Sequence, residues 1–385
     1  MYIRHLDEQL RAHFNTYRQA IILLGARQVG KTTLLKRLFP QAAYLLLDNA
    51  GVKNILETYD LPTYRQLLGN SSELILDELH LLSNPGRAIK IIYDQLPGTR
   101  LIVTGSSSFH IKNKTSESLA GRKIDYHLHP LTFSEYLTQK QIEPHLNFNI
   151  LDNILNPRPL ATHLFSPQEI ISNALLYGLY PELISLPQNL PYLQNLADSV
   201  VFQDLLELKL IDNKQKAKEL LKLLAYQIGN LVNYSELGNK LNLDQRTVKK
   251  YCDIFEQSFI IFRLYPYSQR ARNEITKSPK IYFWDLGIRN AIINNFDDLH
   301  LRPDGGAMFE NFIIAELHKI NSYQSSLYKM YYWRLKSGSE IDLVLTKGSE
   351  LYGCEIKTKH TAITPTFATR YPHAHTHVIT LENFY

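Results

Sequence analysis

The sequence predicts an α/β protein: a parallel sheet, then a helical middle, then a second, smaller α/β unit. Three observations carry this. From residue 21 to about 140, short apolar runs alternate with stretches of helical spacing. From about 141 to 210 the pattern turns helical and is broken by Pro144, Pro157, Pro159, Pro167, Pro181, Pro187 and Pro191. From 270 to 385 mixed strand and helix patterns return. The expected domains are therefore 1–140, 141–268 and 269–385.

Residues 1–20 read as a short amphipathic helix. QAIILL at 19–24 is an apolar run of strand length, and TLLKRL at 33–38 has helical spacing and stops at Phe39-Pro40. AYLLLD at 43–48, ELILDE at 73–78 and RLIVTG at 100–105 read as further buried strands, and YHL at 126–128 as a fifth. Residues 211–265 form a small helical module. Within it, 237–251 reads helix, turn, helix, and 259–264 reads as a wing strand.

Between the first strand and its helix lies GARQVGKT, residues 25–32, the pattern G-x-x-x-x-G-K-[ST]. Strand, glycine loop and helix make up the context in which this pattern binds phosphate. Gly25 and Gly30 are expected to supply positive φ and room for phosphate oxygens. The N–H groups of Gln28, Val29, Gly30, Lys31, Thr32 and Thr33 would cradle the phosphates. Lys31 would reach the β- and γ-phosphates of ATP, and the Thr32 hydroxyl would hold Mg²⁺. About 46 residues after Lys31, the third strand ends in Asp77-Glu78. Asp77 is expected to hold Mg²⁺ through water and Glu78 to polarise the attacking water, which implies hydrolysis as well as binding. At the tip of the fourth strand, Thr104 or Ser106 would orient that water. Arg122, in SLAGR at 118–122, reads either as an arginine finger, in cis or from a neighbouring subunit, or as a surface cap.

Two further groups stand apart. Lys240, Arg246, Lys249 and Lys250 in the helix-turn-helix segment read either as DNA phosphate contacts or as a solvated face. Near the end of the chain, Glu310, Asp342 and the Glu355-Ile356-Lys357 triplet follow the order Glu, Asp, Glu-x-Lys. On paired strands, two such carboxylates can bind Mg²⁺ and the Lys can steady a nucleophilic water. Alternation puts Glu355 and Lys357 on one strand face. The alternatives are an active metal site, an inactive relict of one, and an unrelated hairpin.

Composition bounds the rest. Hydrophobic residues are 44% and charged residues 21% of the chain, ordinary for a globular protein. The net charge of +5 permits nucleic-acid contact without arguing for it. No apolar run reaches the ~18–20 residues of a membrane span, and the charged start MYIRHLDE has no secretory apolar core. With two cysteines, Cys252 and Cys354, the expectation is a cytoplasmic protein without a disulfide frame.

The motifs GARQVGKTT (25–33), LILDELH (74–80), VTGSS (103–107), SLAGR (118–122), LTFSEYL (131–137), GLYP (178–181) and IYFWDLG (281–287) occur in that order. EIDL (340–343) and EIK (355–357) follow. Together they resemble the prokaryotic AAA-type ATP-binding proteins that carry a C-terminal domain of unknown function with a restriction-endonuclease-like fold. The resemblance covers nearly the whole chain. It implies an AAA-type core of the additional-strand-catalytic-glutamate class, a winged-helix middle, a nuclease-like end, and functional roles for Lys31, Asp77 and Glu78. His80 departs from the glutamine of many relatives. The expected function is a Mg²⁺-dependent ATPase that drives a conformational change on or near nucleic acid. The rivals are an ATP-regulated DNA nuclease and a nucleotide-dependent switch that binds DNA or protein. A finger acting in trans through Arg122 would require self-association.

Overall fold

The computed structural model describes residues 2–105, 119–142, 150–155, 167–203, 211–268, 278–324, 327–359 and 365–384. Its first sheet has five parallel strands: β1 (Ala20–Leu24), β2 (Ala43–Leu46), β3 (Glu73–Asp77), β4 (Arg100–Gly105) and β5 (Lys123–His127). They lie in the order β2-β3-β4-β1-β5. All five residues of β1 are buried, as is the core of β3 and β4. Near-continuous Ile, Leu and Val runs follow from a sheet covered on both faces, and each such side chain contributes about 1.5–3 kcal/mol on burial. β5 begins three residues earlier than the sequence suggests. It lies at the sheet edge, where half-buried side chains such as Asp125 blur the apolar signal.

The order matters because β4 lies between β1 and β3. Leu23 pairs with Thr104 across β1–β4, and Leu76 pairs with Val103 across β3–β4. The carboxyl ends of these three strands therefore bring the glycine loop, Thr104 and Asp77-Glu78 side by side.

The middle of the chain is helical, as expected. Helices Tyr234–Leu241 and Gln245–Gln257 flank Asn242, which takes the left-handed conformation, and Asp244, which caps the second helix through the Arg246 N–H. The strand expected after them is β6 (Ile261–Pro266), and it does not end a separate unit. β6 pairs antiparallel with β7 (Lys280–Phe283) and parallel with β8 (Lys329–Arg334). The second sheet runs β11-β10-β9-β8-β6-β7, with β9 (Glu340–Lys347), β10 (Glu350–Ile356) and β11 (His375–Ile379). The boundary expected at 268/269 thus falls between two paired strands.

Helix Gly305–Tyr323 precedes β8, and helix Pro365–Arg370 makes the crossover between the parallel pair β10 and β11. One continuous apolar core runs from Leu6 and β1 through the helical middle to Ile379 and Phe384. Both cysteines are buried free thiols. Among the described residues no helix is long and apolar enough to cross a membrane.

Candidate functional site

The loop after β1 departs in one respect from its expected geometry. Gly30 has φ +94°, as predicted. Gly25 is not a positive-φ residue; a Cβ there would lie 2.1 Å from the Leu128 carbonyl oxygen. Leu128 in turn donates its N–H to Leu24 O at 2.7 Å. Gly25 is therefore required by close backbone approach at the β1–β5 exit, and the second positive-φ position of the loop is Gln28, at φ 61°.

Lys31 opens helix Lys31–Leu38, is buried, and donates from Nζ to Gly25 O (2.8 Å) and Ala26 O (2.9 Å). Thr32 Oγ1 donates to Asp77 Oδ2 at 2.7 Å. Tyr44, on β2, donates to the same oxygen at 2.5 Å. Thr104 Oγ1 donates to Asp77 Oδ1 and accepts the Glu78 N–H at 3.1 Å. Three hydroxyls thus fix the Asp77 carboxylate, which is 2% exposed. The expectation that Thr104 reaches an attacking water is corrected: its hydroxyl is fully buried and committed to Asp77 and the Glu78 backbone. Ser106 lies outside the described residues.

Glu78 takes φ 60° and ψ 47°, a conformation costly for a residue with a Cβ. It sends the carboxylate into the cleft rather than along the strand. His80 Nδ1 stands 3.2 Å from Glu78 Oε2, close enough for charge pairing although not aligned for a hydrogen bond. Burial pushes the Glu78 carboxyl up, but His80 and the charges of Lys31 and Arg27 outweigh it and hold the pKa at about 2.

The resulting cleft has a volume of about 640 Å³, within the range of ligand pockets. Arg27, Gln28, Val29, Gly30, Lys31, Thr32, Thr33 and Glu78 line one side. The other side was not anticipated from the sequence: Tyr2 and Arg4 from the N-terminus, and Pro181, Glu182, Tyr192 and Ser199 from the helical middle. Tyr2 donates to Pro181 O (3.1 Å) and Tyr192 to Gln28 Oε1 (3.1 Å). The readable signals were GLYP and IYFWDLG, which meet here. Asp285 accepts Leu179 N–H (2.6 Å) and Ile288 N–H (3.0 Å). Gly178 has φ +79°, and a Cβ on it would strike the Asp285 carboxylate. These two motifs hold the outer wall of the cleft.

Arg4 braces the loop from behind. Its guanidinium donates to Val29 O (3.0 Å) and His129 O (2.7 Å) and pairs with Glu135 Oε2 (3.0 Å). Burial pulls the Arg4 pKa down, but Glu135 and Tyr323 more than offset it. Glu135 belongs to a capping box with Thr132 and accepts the His5 N–H. From there the network reaches helix Gly305–Tyr323. Phe133 N–H donates to Glu316 (2.6 Å), Lys319 to Leu131 O (3.0 Å), and His129 N–H to the Tyr323 hydroxyl (3.0 Å).

Arg122 does not line the cleft. It pairs bidentately with Asp94 at 2.9 and 3.1 Å. Its carbonyl accepts the N–H of Ala20, the first residue of β1. It therefore sits at the amino end of a strand whose carboxyl end carries the loop, roughly 15 Å away at ~3.3 Å per residue. That distance rules out a finger in cis. In the helix-turn-helix segment, Lys240 pairs with Glu236 and Lys250 with Asp212.

The C-terminal group assembles only in part. The register of β9 and β10, with Cys354 opposite Leu343, sets Glu355 opposite Asp342 at the next step. Asp342 Oδ2 accepts the Ile356 N–H and the Lys357 ammonium, each at 2.8 Å. Glu310, on helix Gly305–Tyr323, accepts from Lys280 (3.2 Å) and the Tyr282 hydroxyl (2.6 Å). Among the described residues no three His, Cys, Asp or Glu side chains are grouped to hold a metal ion. The expected metal site of Glu310, Asp342, Glu355 and Lys357 is thus not fitted to one in this geometry, because ammonium groups occupy Glu310 Oε1 and Asp342 Oδ2. Thr32 and Asp77 do fit Mg²⁺: hard oxygen donors lie 2.7 Å apart beside the phosphate cradle.

Comparison with known proteins agrees with this layout. Residues 17–137 match a family described as an AAA domain. Residues 168–299 and 305–378 match two families described as domains of unknown function, DUF8612 and DUF4143. The chain is 27% identical over 354 residues to the uncharacterized protein MJ1637 of Methanocaldococcus jannaschii, covering 86% of this chain and 74% of that one. It is 25% identical over 365 residues to the uncharacterized protein Rv2008c of Mycobacterium tuberculosis, covering 94% and 75%. Among solved structures, the Walker-type ATPase PABY2304 of Pyrococcus abyssi superposes with a TM-score of 0.52 at 14% identity, covering 76% of this chain and 96% of that one. The chain thus has an α/β fold in which residues 17–137 match an AAA domain and the parallel sheet is similar to that of a P-loop ATPase, followed by a helical region and a C-terminal α/β unit.

Proposed function

We propose that the chain binds ATP with Mg²⁺ and hydrolyses it, and that turnover is transmitted to the C-terminal unit. One observation carries the reading: the hydrogen-bonded chain Thr32–Asp77–Thr104–Glu78 at the carboxyl ends of adjacent strands, whose two end members line one cleft with Lys31. Lys31 would exchange its two carbonyl partners for β- and γ-phosphate oxygens. Thr32 and Asp77 would hold Mg²⁺, which when bound neutralises phosphate charge. Glu78, kept ionised by His80 and Lys31, would accept a hydrogen bond from the attacking water and orient it. Thr104 fixes both carboxyl residues and is a positioning residue. The seam from Val29 through Arg4 and Glu135 to helix Gly305–Tyr323 supports transmission, since a shift of the loop must move buried, paired groups.

The helical order of the middle, with a bridge at Leu231 to Lys280 and the β6–β7 pair, supports a winged-helix reading. The helix, three strands, helix, strand order of the end supports a restriction-endonuclease-like relation. Neither supplies a nucleic-acid contact, and two of the four candidate phosphate-binding cations are already paired.

The test is ATP binding and turnover in two variants. Lys31→Ala should lose binding. Glu78→Gln should keep binding and lose turnover by about 10²-fold or more. Wild-type turnover in Glu78→Gln would refute the assignment.

A further inference from the structure

We propose that Lys280 is the resident cation of the C-terminal carboxylate cluster and stands where a divalent metal would have to bind. The proposal is independent of the ATPase reading. Lys280 opens β7 and is 3% exposed. Its ammonium lies 3.2 Å from Glu310 Oε1 and 2.5 Å from Glu340 Oε1. Two carboxylate oxygens that touch one nitrogen are close enough for a single cation to bridge, and here the bridging cation is covalently part of the chain. Tyr282, two residues along and hence on the same strand face, donates to the same Glu310 oxygen.

In the neighbouring half of the cluster a second lysine reaches Asp342. Lys357 and the Ile356 N–H both occupy Asp342 Oδ2. Four carboxylates (Glu310, Glu340, Asp342 and Glu355) thus face two ammonium groups. Mg²⁺ demands oxygens at about 2.0–2.1 Å in octahedral array. Ammonium contacts keep the oxygens farther out, and a metal that recruits Glu310 would have to displace the buried Lys280 from Glu310 and Glu340. Burial lowers the Lys280 pKa, and Glu310, Glu340 and Asp342 reverse that, so the ammonium stays charged. The cluster is then a lysine-bridged brace between β7, β9 and helix Gly305–Tyr323, and metal-dependent cleavage is closed to it.

The experiment is Mn²⁺ binding to the full, nucleotide-free chain, followed by electron paramagnetic resonance, with plasmid cleavage in Mn²⁺ as a second readout. Wild type should show no Mn²⁺ site that depends on Glu310 or Asp342, and no cleavage. Lys280→Ala, or Lys280→Met if the alanine variant does not fold, should gain one Mn²⁺ site at least tenfold tighter than any in wild type. A second substitution, Glu310→Gln or Asp342→Asn, should abolish it. The proposal is overturned if wild type binds Mn²⁺ at a site that Glu310→Gln or Asp342→Asn removes. It is overturned equally if a folded Lys280 variant gains no site.

Discussion

Replacing Arg4 by Met removes a guanidinium that is 4% exposed and leaves the Glu135 carboxylate, 0% exposed, without its charge partner. Burial is so complete that solvent screening does little to soften the loss. Breaking such a pair costs about 3–5 kcal/mol, because one charge stays buried alone. Two loop carbonyls, Val29 O and His129 O, lose donors as well. At about 2–4 °C per kcal/mol for a chain of a few hundred residues, Tm should fall by roughly 6–20 °C. Burial raises the Glu135 pKa, and Arg4 is the leading opposing charge, with help from His5 and Thr132. The double variant Arg4→Met/Glu135→Gln should therefore recover at least about 1.5 kcal/mol relative to Arg4→Met alone. The assay is calorimetry or urea unfolding of the four proteins as a double-mutant cycle, with the KM for ATP measured in parallel. KM should rise in Arg4→Met, since Val29 loses its brace. A loss below about 1 kcal/mol, or a double variant no more stable than the single, would refute the argument.

Thr104→Val keeps shape but removes the hydroxyl shared by Asp77 and the Glu78 N–H. It should cost about 1–3 kcal/mol of stability and lower kcat at least tenfold, and unchanged kcat would remove Thr104 from the positioning role. Arg122→Ala should leave ATP turnover within twofold at every protein concentration, because Asp94 holds Arg122 away from the cleft; a large, concentration-dependent loss would instead point to a finger in trans. The Glu78 pKa is depressed to about 2, so its ionised form and whatever it contributes are present above the ordinary carboxyl range and lost only as pH falls toward 2. The acid limb of kcat should accordingly move to higher pH in His80→Ala, and coincident profiles for the two proteins would show that His80 does not hold Glu78 down.

The sheet was legible because buried parallel strands carry near-continuous apolar runs: β1 is apolar end to end, and β3 and β4 are apolar across their middles. The glycine loop and Asp77-Glu78 were legible because phosphate and metal chemistry admits few residue types at such spacings. The inner wall of the cleft could therefore be read, and of the outer wall only the motifs that hold it, GLYP and IYFWDLG. Tyr2, Glu182 and Tyr192 carry no pattern, and only folding brings residues 2, 182 and 192 together. Thr132 and Glu135 were readable as a capping box, yet the arginine that Glu135 serves is 131 residues earlier. Arg122 failed as a cis finger because sequence spacing does not say which end of a strand a residue occupies. The carboxylates 310, 342 and 355 were found, but the lysine among them lies on β7, a strand the motif does not include.

Asp285 reaches back across 106 positions to hold Leu179, and this ties the chemistry of one segment to the inheritance of another. A fragment limited to residues 17–137 would carry every residue proposed to hold phosphate and still be half a vessel. Any recombination that swaps the first third of the chain for that of a relative must bring a compatible partner for positions 178–182 or lose the far side of the cleft. The three segments are free to diverge in surface and partner, but at this seam they must travel as one.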